Sequence, residues 1–295
     1  MKSFDFVILT DDRYVLPPTD QYTQNIYQED NLLKEALEAR GKKVGRVSWS
    51  DAQFDWASTA AVIFRTTWDY FGRYEEWVNW LEQLKHKTQM INPYNTVRWN
   101  MDKHYLAELA AKGIHIPTTV YVEKGEQLSL KEISQQRAWE IMIIKPCFSA
   151  SARHTYKVTS ENLDEHEALF AELISQEAMM VQEFQQDVID RGEVSLMVMG
   201  GVFTHAVLKR AKSGDFRVQD DFGGTLEDYE PTPEEIEFSE RAIAAVSPLP
   251  AYARVDLIRD NDDQLALIEL ELIEPELWFR RCPKAAQVLA DHLTK

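Results

Sequence analysis

Apolar and polar positions along this chain switch repeatedly between the period of a strand and that of a helix. The FDFVILT run ending at Thr10 predicts a strand that leads into Asp11 and Asp12, and EDNLLKEALEARG predicts a helix stopped by Gly41. VGRVSWS and AAVIFRTTWDY predict two more strands, and RYEEWVNWLEQL predicts a helix whose Trp77, Trp80 and Leu81 share an apolar face. Strands alternating with helices imply a parallel α/β layer, which binds ligands at the carboxyl ends of its strands. The last of these strands carries Arg65, Thr66, Thr67, Trp68, Asp69 and Tyr70 to that edge, either as a substrate platform or as a Thr or Asp cap for the next helix.

INPYNT, near 91–96, reads as a boundary. Beyond it NMDKHYLAELAAKGIHIP predicts one helix, capped by Asn100 or Asp102 and stopped by Gly113, followed by the strand TTVYVEK. A polar helix near 129–137, the strand WEIMIIKP, the loop CFSASARH, the strand HTYKV and a helix over 161–176 complete a second lobe of about 80 residues. MMVQEFQQDV then leads to GEVSLMVMGGVFTHAVLKR, an antiparallel hairpin turning at Gly200 and Gly201. Residues 211–230 read as a long polar loop and PEEIEFSERAIAAV as a helix.

The pattern breaks its own rule in ARVDLIRDNDDQLALIELELIEP, residues 253–275. Two apolar runs, VDLI and LALIEL, flank a polar turn rich in Asn and Asp, yet carry Asp256, Glu269 and Glu271. Glu269 and Glu271 are two apart and so share a strand face, which Asp256 on the neighbouring strand can join. Unpaired buried carboxylates cost several kcal/mol each, so a cation belongs among them. An all-oxygen set favours Mg²⁺ or Mn²⁺ bridging to substrate phosphates. The bland alternative is a solvated strand face in a very acidic protein.

Composition narrows the partners. With 295 residues, two or three lobes are expected, and 44% hydrophobic with 27% charged residues describes a globular chain. A net charge of −17 argues against a nucleic-acid or anionic-membrane surface, while leaving room for a small anion in a local basic pocket. The two cysteines, Cys147 and Cys282, are too few for a disulfide framework or a zinc site. No apolar run is long enough to span a bilayer, and MKSFDFVILT enters a strand without a signal-peptide pattern, so the cytoplasm is expected. Homo-oligomerisation stays open.

Against this acidity two basic groups stand out. Lys145 ends an apolar strand before the small-residue loop Ser149-Ala150-Ser151-Ala152, where a lysine and backbone N–H groups can hold phosphate. Lys209, Arg210 and Arg217 form the second group, for which a solvated face is the ordinary alternative.

Five pieces of the chain, in order, carry a resemblance: Asp102-Lys103 opening a segment that ends KGIHIPTTVYV; IIKPCFSASARHTYKV; VQEF followed by Glu193 in GEVS; LKRAKSGDFRVQDDFGGT; and RVDLI with Asp256, Glu269 and Glu271. Together, over residues 97–276, they resemble the ATP-grasp ligases, nearest to D-alanine–D-alanine ligase, prokaryotic glutathione synthetase and RimK-like members. IELELIEP and RTTWDY are also similar to the ring-closing ligase of cycloserine biosynthesis. The resemblance implies an α/β fold in which an N-terminal parallel domain (1–96) precedes two α+β subdomains that clasp ATP: a central one with a lid (97–180) and a C-terminal one with the metal and substrate site (181–295).

It also implies roles. Lys103, Lys145, Ser151, Gln182, Glu183, Phe184 and Glu193 are expected to bind ATP, and Asp256, Glu269 and Glu271 to hold two Mg²⁺ ions, with Mn²⁺ as a substitute. Arg254, Lys209, Arg210 and Arg217 are expected to be catalytic, and Arg65, Thr66, Trp68, Asp69, Gly223 and Gly224 to meet the substrate. The implied activity is an ATP-dependent carboxylate–amine or amino-acid-cyclising ligase, working through an acyl phosphate on a small amino acid or short peptide. The alternatives are a non-catalytic ATP-binding module and a phosphotransferase. Three positions depart from the family's pattern: Ser-Ala-Ser-Ala replaces its glycine-rich loop, Glu271 stands at the usual Asn, and Glu274-Pro275 at the usual Ser-Pro.

Overall fold

The computed structural model describes residues 2–148, 153–212, 214–215, 217–218 and 223–295. Its first layer contains β1 (Phe4–Thr10), α1 (Gln21–Glu38), β2 (Val44–Ser48), β3 (Thr59–Thr66), α2 (Tyr74–Leu84) and β4 (Gln89–Ile91). The strands are all parallel in the order β2-β1-β3-β4, with Val7, Ile8 and Leu9 of β1 fully buried between two covered faces. α1 begins eight residues earlier than its apolar pattern suggests, because Asp20 and Thr23 form a capping box. Glu29 and Asp30 therefore lie in mid-helix and are buried, where Arg280 and Arg46 pair with them at 3.0 and 2.7 Å. Trp77 and Leu81 enter the core as expected, but no side chain caps α2: Asp69 instead accepts from Trp49 Nε1 and from Arg73, at 2.6 Å each.

The predicted single helix after the boundary is two: α3 (Tyr94–Asn100) and α4 (Tyr105–Ala111). Asn100 does not cap a helix. Its Nδ2 donates to the Leu270 carbonyl and its Oδ1 accepts from the Leu272 amide, both at 2.8 Å, while the Leu270 amide donates to the Tyr105 hydroxyl at 2.9 Å. The break between the helices points Lys103 toward the same strand, and its amide donates to the Cys147 carbonyl at 2.9 Å.

A second sheet holds β5 (Thr119–Val122), α5 (Leu130–Arg137), β6 (Ile141–Pro146), β7 (Tyr156–Thr159), α6 (Leu163–Gln176) and β8 (Met179–Glu183). Its order, β5-β8-β6-β7, is antiparallel throughout. β6 alternates: Met142 and Ile144 face the helix-covered core, so Ile143 and Lys145 face the cleft. The expected division at 180/181 falls inside β8.

After α7 (Asp187–Asp190), the third sheet holds β9 (Glu193–Met199), β10 (Val202–Arg210), β11 (Thr225–Tyr229), α8 (Pro233–Ala244), β12 (Tyr252–Arg259) and β13 (Leu265–Glu271), in the antiparallel order β11-β10-β9-β12-β13. The β9–β10 and β12–β13 hairpins form as read from the sequence. β11 occupies part of the predicted 211–230 loop: its residues lack apolar alternation, and it exists by pairing with β10. The chain closes with α9 (Pro283–Leu293), which packs on α1, so Leu277, Trp278 and Phe279 join the core of the first layer.

Candidate active site

Three sheets meet around one cleft of about 470 Å³. The β12–β13 register places Asp256 opposite Glu269 and Arg254 opposite Glu271, and ligand oxygens of Asp256, Glu269 and Glu271 lie within 4.8 Å of one another. Each carboxylate already has a cation. Arg254 donates to Asp256 through Nε (2.9 and 3.1 Å) and Nη2 (2.8 Å) and also reaches Glu271. Lys103 contacts Glu269, and Lys209 contacts both Glu193 and Asp256. Ser195 Oγ donates to Asp256 Oδ1 at 2.6 Å.

This pairing sets the protonation states. Burial acts to raise the Asp256 carboxyl, but Arg254 and Lys209 outweigh it and hold the group below the ordinary carboxylate range. Burial likewise opposes ionisation of Glu269, and Lys103 with Lys145 overcomes it. At Glu271 burial wins over Arg254, pushing the carboxyl up to about 7, and burial outweighs Lys209 to bring Glu193 to about 7. Lys145 is brought down to about 8 by burial and then by Lys103. Four carboxyl groups, Asp256, Glu269, Glu271 and Glu193, thus meet four basic groups, Arg254, Lys103, Lys145 and Lys209.

Gln182, Glu183 and Phe184 line the other end of the cleft. Gln182 Nε2 donates to Thr119 Oγ1 at 2.8 Å, and the Lys157 ammonium sits 3.7 Å from the Phe184 ring centroid. Glu193, expected at a ribose, is engaged by Lys209.

The substrate residues separate. Trp68 lines the cleft with Tyr70, and Arg217 lines it beyond them. Arg65 does not: it is 1% exposed, donates to the Pro275 carbonyl at 2.9 Å and lies over the Phe279 ring. Thr66 shares a 2.6 Å hydroxyl hydrogen bond with Thr10, and Asp69 is held by Trp49 and Arg73. Arg210 faces a separate, smaller hollow and donates to the Arg191 carbonyl at 2.9 Å. Gly223 and Gly224 are outside the cleft wall. Gly224 passes the Val218 carbonyl so closely that a Cβ there would lie 2.2 Å from its oxygen. Ser151 lies outside the described residues.

Sequence reading did not assign Arg13, Tyr14, Ser195, Glu274 or Trp278 a role. Arg13, Tyr14, Glu274 and Trp278 line the cleft, and Ser195 supports Asp256 from β9. The Asp11-Asp12 end of β1 pointed to the first pair, and the Glu274-Pro275 departure pointed to Glu274.

A family model described as the RimK-like ATP-grasp domain matches residues 101–274, and one described as the N-terminal domain of D-cycloserine synthetase DcsG matches residues 6–92. The cycloserine biosynthesis protein DcsG of Streptomyces lavendulae is 30% identical over 281 residues, covering 88% of this chain and 90% of that protein. A crystal structure of D-cycloserine synthetase DcsG superposes with a TM-score of 0.84 at 26% identity, covering 98% of each chain. The ATP-grasp ligase PsnB, complexed with a variant of its minimal precursor, Mg and ADP, shares the fold at a TM-score of 0.65 and 16% identity, with 99% of this chain and 100% of that one covered. So does the macrocyclase MdnC of Microcystis aeruginosa MRC, bound with its precursor peptide, at a TM-score of 0.65 and 17% identity over 98% of each chain.

Proposed function

The chain belongs to the RimK-like ATP-grasp family and is an ATP-dependent, ADP-forming carbon–nitrogen ligase, and from that premise we propose that its cleft activates the carboxylate of a small amino-acid derivative and closes it into a ring. The observation that carries the assignment of roles is the convergence of Asp256, Glu269 and Glu271 within 4.8 Å, with Lys103 and Lys145 in the same cleft. Likeness to the cycloserine biosynthesis protein over both the N-terminal layer and the ATP-grasp part favours cyclisation over joining two molecules.

The three carboxylates suit Mg²⁺, because they are hard oxygen donors close enough to share ions. Asp256, Glu269 and Glu271 would hold two Mg²⁺ ions, which would supply charge neutralisation at the transferring phosphate. Lys103 and Lys145 bind α- and β-phosphate oxygens. Arg254, which lines the cleft beside Asp256 and Glu271, would stabilise the transferring phosphoryl group and then the oxyanion of the tetrahedral intermediate. The substrate carboxylate attacks the γ-phosphate, an acyl phosphate and ADP form, and the amine displaces phosphate. Gln182, Glu183 and Phe184 hold the base, and Trp68, Tyr70 and Arg217 wall the acyl end against water.

The test is a screen of D- and L-amino acids with ATP, Mg²⁺ and hydroxylamine. ADP, phosphate and a hydroxamate are expected with a small amino acid. A stable phosphorylated product would instead indicate a phosphotransferase, and the lack of ADP with every carboxylate would indicate a nucleotide-binding module.

Lys145 gives a pH signature. Burial and Lys103 bring its ammonium down to about 8, below the ordinary 10.5 of lysine, so burial costs stability below pH 8 and that cost fades as pH rises toward 10.5. A bound triphosphate favours the charged form. ATP binding at pH 9 is therefore expected to take up about one proton, read by calorimetry in buffers of different ionisation enthalpy. Lys145→Met abolishes that uptake and weakens ATP binding, and an unchanged proton count would remove Lys145 from the phosphate site.

A further inference from the structure

The segment that leaves β13 is fixed at successive carbonyls. Tyr252 donates to the Ile273 carbonyl at 2.8 Å, Trp68 Nε1 to the Glu274 carbonyl at 3.0 Å and Arg65 to the Pro275 carbonyl at 2.9 Å. These contacts present the Glu274 side chain to the cleft between Trp68, Tyr70 and Trp278. One of its oxygens meets the Tyr70 hydroxyl, while Oε2 is shielded from solvent and has no hydrogen-bond partner among the described residues. A shielded carboxyl oxygen without a partner is unfavourable unless a ligand completes it. The group it lacks is a donor, and an ionised carboxylate favours a cationic one.

We propose that Glu274 binds the substrate's primary ammonium group, with Tyr70 and Trp68 as positioning residues, so that the acyl donor is a free zwitterionic amino acid. This rests on the ligase reading and adds the residue that selects the substrate. Glu271 and Arg254 both act electrostatically on the Glu274 carboxyl and line the same cleft, and an α-amino acid separates its charges by one carbon. An ammonium at Glu274 therefore leaves the same molecule's carboxylate beside Glu271 and Arg254, where activation takes place. A held ammonium has no lone pair, so it stays out of the ring-forming step and leaves attack to another nitrogen. Burial and then Glu271 push the Glu274 carboxyl up to about 8, and a cation bound there favours its ionised form. A peptide whose amine lies far from the reacting carboxylate cannot use this contact.

The experiment compares each amino acid accepted in the hydroxylamine assay with its 2-hydroxy counterpart, which replaces the ammonium by a neutral group of similar size. The wild-type protein is expected to prefer the amino acid at least ~30-fold in kcat/KM, the range of a hydrogen bond to a charged group. Glu274→Gln removes the preference by raising the amino-acid KM while ATP affinity stays unchanged, and Glu274→Asp restores part of it. Nucleotide binding by each variant reports that it is folded; if Glu274→Gln does not bind ATP, Glu274→Asp and Tyr70→Phe are read instead, each with a reduced preference. Equal use of hydroxy and amino acids by the wild type, or a full preference in folded Glu274 and Tyr70 variants, overturns the proposal while leaving the ligase reading intact. If no carboxylate gives a hydroxamate, the ligase reading fails and this inference falls with it.

Discussion

Glu269→Gln is expected to lower turnover about 10³-fold while leaving the fold intact. The amide keeps the shape of the side chain and removes its charge. That charge serves two neighbours: Lys103, which contacts the carboxylate, and the ions that Asp256, Glu269 and Glu271 would share. Loss of one metal-binding charge is worth several kcal/mol in the transition state, and about 4 kcal/mol corresponds to 10³ in rate. The loss also leaves Lys103 and Lys145 as facing cations without their counterion, so Lys145 sheds its proton more readily. The stability cost stays below that of a fully buried pair because the Glu269 side chain is 34% exposed, and β13 is held at this point by its ladder with β12, by Asn100 and by Tyr105, none of which uses that side chain. Steady-state ADP release measures the rate, and a urea midpoint measures the fold. Turnover within a few-fold of the wild type would remove Glu269 from the metal site.

Local periodicity made the core of the site legible. A two-residue spacing puts Glu269 and Glu271 on one face, an Asn/Asp turn brings Asp256 opposite, and strand alternation aims Lys145 away from the buried Ile144. What stayed hidden depends on partners far along the chain. The helix predicted across Asn100 breaks because its amide group completes the edge of β13, 170 residues later, a use no local rule contains. β11 has almost no apolar signal and is defined by β10. The residues after Glu274 gave no recognisable site pattern, yet Leu277 to Phe279 fill the first layer's core and Trp278 also reaches the cleft. The strand-edge rule pointed to the stretch from which Trp68 and Tyr70 line the cleft, but said nothing of which neighbours turn inward.

Arg65 is the sharpest instance, and it carries the second large effect: Arg65→Leu is expected to destabilise the protein by about 3 kcal/mol. The sequence places an arginine at a ligand-binding strand edge, next to residues that line the cleft. Its guanidinium instead lies buried among Glu29 at 4.0 Å, Asp30 at 3.9 Å, the Pro275 carbonyl and the Phe279 ring. Removing one partner from a buried ionic group costs about 3–5 kcal/mol, because the charges left behind have lost their solvent as well. The lower end applies here, since Arg280 still pairs with Glu29 and Arg46 with Asp30. Leucine fills part of the volume and cannot donate to Pro275, so the segment carrying Glu274 loosens as well. The urea midpoint is expected to fall with an unchanged slope. ATP affinity should persist in the folded variant, since Lys103, Lys145 and the Gln182 end lie on other elements. A variant as stable as the wild type with a sharply raised amino-acid KM would return Arg65 to the substrate site and require the guanidinium to leave Glu29 and Asp30 when substrate binds.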